Sequence, residues 1–167
     1  QQMPHDYWVL EGIKATGQFW SLAIGPDNLI YAGSNDGTSI SVFNTDFALI
    51  RQFGAFSAIR GICVSSQTNV FVVDAGQNKV KVFSAQGATI REFGGSGAGD
   101  GQFSFAGTGR CGTMISIDGQ DRIYVTDGNN NRIQVFDSQG TFIRKWGQSG
   151  GLPENFASPK SVVVSPG

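Results

Sequence analysis

The run DGNNN, residues 127–131, sets side-chain oxygens at alternate positions, the spacing with which a calcium-binding loop opens. Such a loop also needs glycine at its sixth place and a bidentate glutamate at its twelfth, where this chain has Arg132 and Ser138. Asp74 and Asn78 repeat the arrangement of Asp127 and Asn131. For both pairs the stronger reading is structural: Asx side chains bond the backbone of a tight hairpin and tolerate positive φ. No metal site is expected. Nucleophilic chemistry finds as little support, since His5 is the only histidine and no G-x-S-x-G elbow occurs. Cys63 and Cys111 lack metal-ligand spacing. Cys63 lies in an apolar run and reads as a small core residue, whereas Cys111 reads as a loop residue. A bridge between them is disfavoured by their non-equivalent positions. The sequence points to no catalytic residue and no cofactor.

Binding is the better prospect. Arg60 and Lys160 each stand just ahead of an apolar run, and either could hold a carboxylate or phosphate through charge-assisted hydrogen bonds. The plainer alternative is that they satisfy loop carbonyls or water. With Asp100 and Gln102 in the glycine-rich stretch GGSGAGDGQFSFA (94–106), and Arg110 beyond it, they form the candidate ligand-binding set. Net charge is −1, from 12 basic and 13 acidic residues, so the basic excess with which a protein grips a phosphate backbone is missing. Nucleic acid is therefore a disfavoured partner. No apolar run approaches the roughly 20 residues of a membrane helix.

These residues need elements to position them, and the sequence writes its elements three times. SISVFNTDFALIRQFG (39–54), KVKVFSAQGATIREFG (79–94) and RIQVFDSQGTFIRKWG (132–147) hold a common register. Phe53, Phe93 and Trp146 are separated by 40 and then 53 positions, as are Phe43, Phe83 and Phe136, and Tyr31, Phe71 and Tyr124. The extra 13 residues of the second spacing read as one glycine-rich insertion at 94–106. Each unit contains four short apolar runs rich in β-branched and aromatic residues, bounded by Gly, Asp, Asn or Ser; in the third they are TMISI, RIYVT, RIQVF and TFIRKW. Four strands per repeat of this length describe a β-propeller blade. Runs such as VFVV (70–73), apolar on both sides, fit sheets covered on both faces.

The units resemble NHL repeats, most clearly in YVTDGNNNRIQVFDSQGTFIRKWG (124–147) and FVVDAGQNKVKVFSAQGATIREFG (71–94). The family pattern is a strand ending in Asp, an Asn-rich turn, a strand ending in Phe-Asp, and an aromatic-Gly close. The resemblance covers about residues 19–167 and implies a propeller, often six-bladed, without implying one activity. The first unit departs from it, with Ser34 where Asp74 and Asp127 stand, so a looser turn is expected there. The amidating lyases of the propeller fold use several histidines, which this chain lacks.

The expected fold is all-β, a partial β-propeller of four-stranded antiparallel blades: three full blades with partial blades at both ends. Residues 1–18, with the run YWVL at 7–10, read as the end of a preceding blade; 19–54, 55–94 and 95–147 as blades; 148–167 as the lead-in and inner strand SVVVS (161–165) of a next one. Three blades do not close a ring, so the chain is expected to be part of a longer protein or assembly, with the remaining blades as its partner. Pairing of two copies into one ring is the less natural alternative. Loops entering the inner strands and the turns 74–78 and 127–131 share one end of the blades, the end where binding is expected. The outer-strand arginines Arg51, Arg91 and Arg144 read as edge protection, and the aromatic series as packing between blades rather than a stacking surface for single strands.

The functional expectation is a non-catalytic scaffold docking a protein or small ligand on the long-loop face. One alternative is part of a propeller enzyme whose catalytic residues lie in blades outside this chain; another is an RNA-binding propeller. No cationic region followed by an apolar one opens the sequence, so no signal peptide is expected. Five lysines among many Gly, Ser, Asn and Gln lean weakly towards an extracytoplasmic setting.

Overall fold

The computed structural model describes residues 19–34, 36–105, 114–150 and 155–164. Among these residues twelve strands form three antiparallel sheets of four, each a simple meander. The first holds β1 (Phe19–Ile24), β2 (Ile30–Ser34), β3 (Ile40–Phe43) and β4 (Leu49–Phe53). The second holds β5 (Ile59–Val64), β6 (Val70–Asp74), β7 (Lys79–Phe83) and β8 (Thr89–Gly94), and the third β9 (Ile115–Ile117), β10 (Ile123–Asp127), β11 (Arg132–Phe136) and β12 (Phe142–Trp146). One turn of 3-10 helix, Gly128–Asn130, is the sole departure from strand among the described elements. The all-β fold with three blades of a partial propeller is thus what the chain adopts. The first strands of successive sheets lie together, β1 against β5 and β5 against β9, so the sheets fan from a common inner edge.

The alternation within β6 shows how the sheets stack. Val70 and Val72 enter one core with Tyr31, Ile40 and Val42 of the first sheet, while Phe71 and Val73 enter another with Ile115, Ile123, Val125 and Phe136 of the third and Phe103 of the loop between the two sheets. Successive side chains of a strand point to opposite faces, so an unbroken apolar run serves two interfaces. All five residues of β6 are buried. Each such side chain is worth about 1.5–3 kcal/mol over leaving it exposed, which a single sheet in water could not realise. The terminal aromatics join these cores as expected: Phe53 meets Phe83 at 5.3 Å between ring centroids, and Phe93 meets Phe136 at 5.0 Å.

Two expectations need correcting. Residues 161–164, expected as an inner strand, form none, and Val163 is 86% exposed; among the described residues no strand lies beside them to complete a ladder. The 13 extra residues are also not one block. Phe103 packs on Gly94 as Phe56 packs on Gly54, so seven of the extra residues precede Phe103 and six follow it. Phe156 packs on Gly147 in the same way and at the same nine-residue spacing as Phe103 on Gly94. The run YWVL, with His5, Arg110 and Cys111, lies outside the described residues.

Candidate functional site

Asp74 and Asp127 close the second strands of their sheets, and both are fully buried. The Asp74 carboxylate accepts the N–H groups of Ser57 and Ala58 at 3.0–3.1 Å and pairs with Lys81 Nζ at 2.9 Å. Asp127 accepts the Ser104 N–H at 2.8 Å, Asn130 Nδ2, Arg132 Nε at 2.8 Å and Gln134 Nε2 at 3.2 Å. Ser57 follows Phe56 as Ser104 follows Phe103, so the two tethers are equivalent. Each carboxylate ties down the loop leading into the inner strand of its own sheet, across 17 and 23 residues respectively.

This corrects the local Asx reading for the aspartates. A buried carboxylate needs several donors, and the hairpin N–H groups are already spent on backbone carbonyls, as Gln77 N–H is on Asp74 and Asn78 N–H on Ala75. The asparagines do sit at left-handed positions, with φ of 52° at Asn78 and 54° at Asn131. Their side chains reach the next lead-in loop: Asn78 Oδ1 accepts the Phe105 N–H at 2.7 Å, and Asn131 Oδ1 accepts the Ser158 N–H at 2.8 Å.

The glycine-rich loop 94–105 is held from beneath by β11. Arg132 is 5% exposed and donates through Nη1 to the Ala98 carbonyl and through Nη2 to the carbonyls of Gly99 and Gln102, all at 2.8–2.9 Å. Gln134 accepts the Gly101 N–H at 2.9 Å and donates to the Gln102 carbonyl at 2.7 Å, while Asn130 Nδ2 donates to the Gly97 carbonyl at 2.9 Å. The carbonyls of Gly97, Ala98, Gly99 and Gln102 and the N–H of Gly101 are thereby engaged by Asn130, Arg132 and Gln134, which make the loop a fixed platform. Sequence reasoning missed Arg132 and Gln134 because RIQVF fits a strand. The signal was there, in polar residues on a strand that is apolar at every other position and covered on both faces.

The candidate residues divide. Asp100 and Gln102 come together in this loop: Asp100 is half-exposed, pairs with Lys145 and lies 3.9 Å from Arg132 Nη1, and Gln102 Oε1 accepts the Gly99 N–H at 3.0 Å. Arg60 lies on β5, half-buried, with Nη1 donating to its neighbour Ile59's carbonyl at 3.0 Å and its guanidinium 5.9 Å above the Trp20 ring. Lys160 is exposed on the last described segment. Arg91, read as edge protection, also donates to the Ser138 carbonyl of the next sheet at 2.6 Å and so bridges blades.

The turn of the first unit is not loose. Ser34 Oγ donates to Asp36 and accepts the N–H groups of Thr38 and Ser39, while Asp36 accepts both the N–H and the hydroxyl of Thr38. This carboxylate, two positions on, bonds within its own turn, and those bonds hold its pKa below the ordinary value. At the opposite end, Asp118 is partly desolvated, which opposes its charge. Even so, the Arg122 and Gln120 N–H groups, the Arg122 guanidinium and the Tyr124 hydroxyl keep its pKa low. Burial and the bond to Asp27 push the Tyr31 hydroxyl up to about 12. Cys63 is a free thiol, and burial raises its pKa.

A family described as a 6-bladed beta-propeller matches residues 112–165. Among solved structures, a protein of unknown function from Bacteroides thetaiotaomicron superposes with a TM-score of 0.70 at 13% identity, over 90% of this chain and 43% of that one. Hydrazine synthase of Kuenenia stuttgartiensis gives 0.64 at 16% identity, over 85% and 37%. Virginiamycin B lyase from Staphylococcus aureus gives 0.56 at 17%, over 73% and 39%. These similarities show the fold. The chain spans less than half the length of each of these proteins. No curated protein matches the sequence. Among the described residues no helix is long and apolar enough to cross a membrane.

Proposed function

We propose that the chain is part of a propeller serving as a non-catalytic binding scaffold, with a protein or small ligand docking on the face that carries the loops leading into the inner strands. The observation that carries this is the fixing of loop 94–105 by Arg132, Gln134, Asn130 and Asp127. A loop held so fully by buried partners offers a surface whose ordering cost is met before any ligand arrives. Asp100 and Lys145 give it an outward charged pair, and Arg60, Lys160 and Arg110 are its proposed cations. Further blades of the same protein are the expected neighbours at both ends. The NHL-like reading rests on the equivalent turns at Asp74–Asn78 and Asp127–Asn131, each tying a lead-in loop to its sheet.

The enzyme alternative rests on the hydrazine synthase and the lyase that share the fold, and it would place the catalytic groups in blades beyond this chain. Capture from extracts of the source cells separates the readings, with wild-type bait run beside R60A/K160A and D100A. The expected result is a component retained by wild type and lost with these variants. Equal retention by all, or equal loss with D27A and D46A at the opposite end, would overturn the scaffold reading.

A further inference from the structure

The face of the first sheet turned away from the second is an open apolar groove. A cavity of about 380 Å³ is lined there by Leu22, Ile24, Ile30, Ala32 and Phe43, with Phe19, Ala23 and Phe47 completing it. Forty positions on, the first five become Ile62, Val64, Val70, Val72 and Phe83, all buried in the core beneath the first sheet. Another 53 positions on they become Ile115, Ile117, Ile123, Val125 and Phe136, packed beneath the second. The groove therefore has the lining of a surface that receives a four-stranded sheet.

One position breaks the pattern. The turn after β3 is closed by the Phe47 N–H donating to the Asn44 carbonyl, as Gly87 donates to Ser84 and Gly140 to Asp137 in the other sheets. All three residues are left-handed, with φ of 59°, 90° and 85°. In the second and third sheets the glycine makes room for the last aromatic of the sheet before it. A Cβ on Gly87 would lie 2.6 Å from the Phe53 ring, and one on Gly140 would lie 2.5 Å from the Phe93 ring. In the first sheet the corresponding place holds a phenylalanine, in a backbone region that bulky side chains disfavour.

Resting on the propeller reading above, we propose that this groove docks a further four-stranded sheet of the same propeller, one that carries a small residue where β4, β8 and β12 carry the rings of Phe53, Phe93 and Trp146. Phe47 is the key: its side chain takes the space an incoming ring would need and so excludes ring-ended sheets, a second copy of this chain among them. The occupant supplies β-branched or aromatic side chains from its middle strands, as Tyr31, Ile40 and Val42 do for the next face. The similar solved proteins extend well beyond the length of this chain, which leaves sequence for such a sheet.

Self-association of the 167-residue chain tests the exclusion, because its third sheet ends in Trp146, which is 39% exposed. Sedimentation velocity is run on wild type, F47G and F47N, the last because asparagine tolerates the left-handed turn. Removing the ring is expected to tighten head-to-tail association by roughly tenfold or more, with Trp146 protected in the complex and the gain abolished by W146A. The proposal falls if wild type already associates with Trp146 buried, or if folded F47G and F47N associate no better than wild type.

Discussion

A guanidinium only 5% exposed must spend its donors inside the protein, and Arg132 gives one to Asp127 and three to carbonyls of the glycine-rich loop. Replacing it with alanine strands Asp127 as a buried charge with fewer donors and releases the loop. Removing one partner of a buried ion pair costs about 3–5 kcal/mol, so R132A should lower stability by that order in urea titration. Amide exchange at Gly99, Gly101 and Gln102 should rise with it. R132K keeps the charge without the planar fork, and should restore global stability more than loop protection. Equal exchange in wild type and R132A would show that the loop does not depend on this residue. The aspartates, asparagines and glycines of the site were legible because turn chemistry favours them. What they bond to was not, because Asp127 and Ser104 are 23 residues apart and no local pattern links them.

At the scale of elements, strands were readable wherever β-branched and aromatic residues cluster, and four per unit is what the sheets contain. SVVV at 161–164 has the same composition and forms no strand, because a strand needs a partner as well as propensity. Ser34 shows the reverse failure: a missing carboxylate suggested a weak turn, and Asp36 holds it instead through local bonds to Ser34 and Thr38. The turn between β9 and β10 carries an acid-sensitive contribution. Asp118 has a folded pKa below its ordinary value of 3.8. Its stabilisation is therefore complete above that value and drains away as pH falls through the lower folded one. D118N should reduce stability at neutral pH and flatten the acid limb of the stability profile, with wild type and variant converging at the lowest pH. Parallel profiles would mean that the turn is held without the charge.

For the whole molecule, the consequence of stacked sheets is that neighbouring residues of one strand belong to different interfaces. In β6, Val72 packs towards the first sheet and Phe71 towards the third, and both are fully buried. Where repeats touch only their neighbours, stability is a sum of unit and interface terms, so the two substitutions should act on opposite ends. F71A removes a ring from the interface of the second and third sheets at a cost of about 3–5 kcal/mol. Amide exchange should then accelerate through β10 and β11 while β2 and β3 keep more of their protection. V72A, at roughly 2 kcal/mol, should reverse the order, loosening β2 and β3 first. The middle sheet feels both losses, so β6 and β7 serve as the internal control. If both variants raise exchange uniformly over all twelve strands, the three sheets open as a single unit and the nearest-neighbour description fails. If the ends respond oppositely, each blade is stabilised by its contacts with adjacent sheets, and the first sheet, with Leu22 and Ile24 exposed on its far face, gains from whatever sheet comes to lie there.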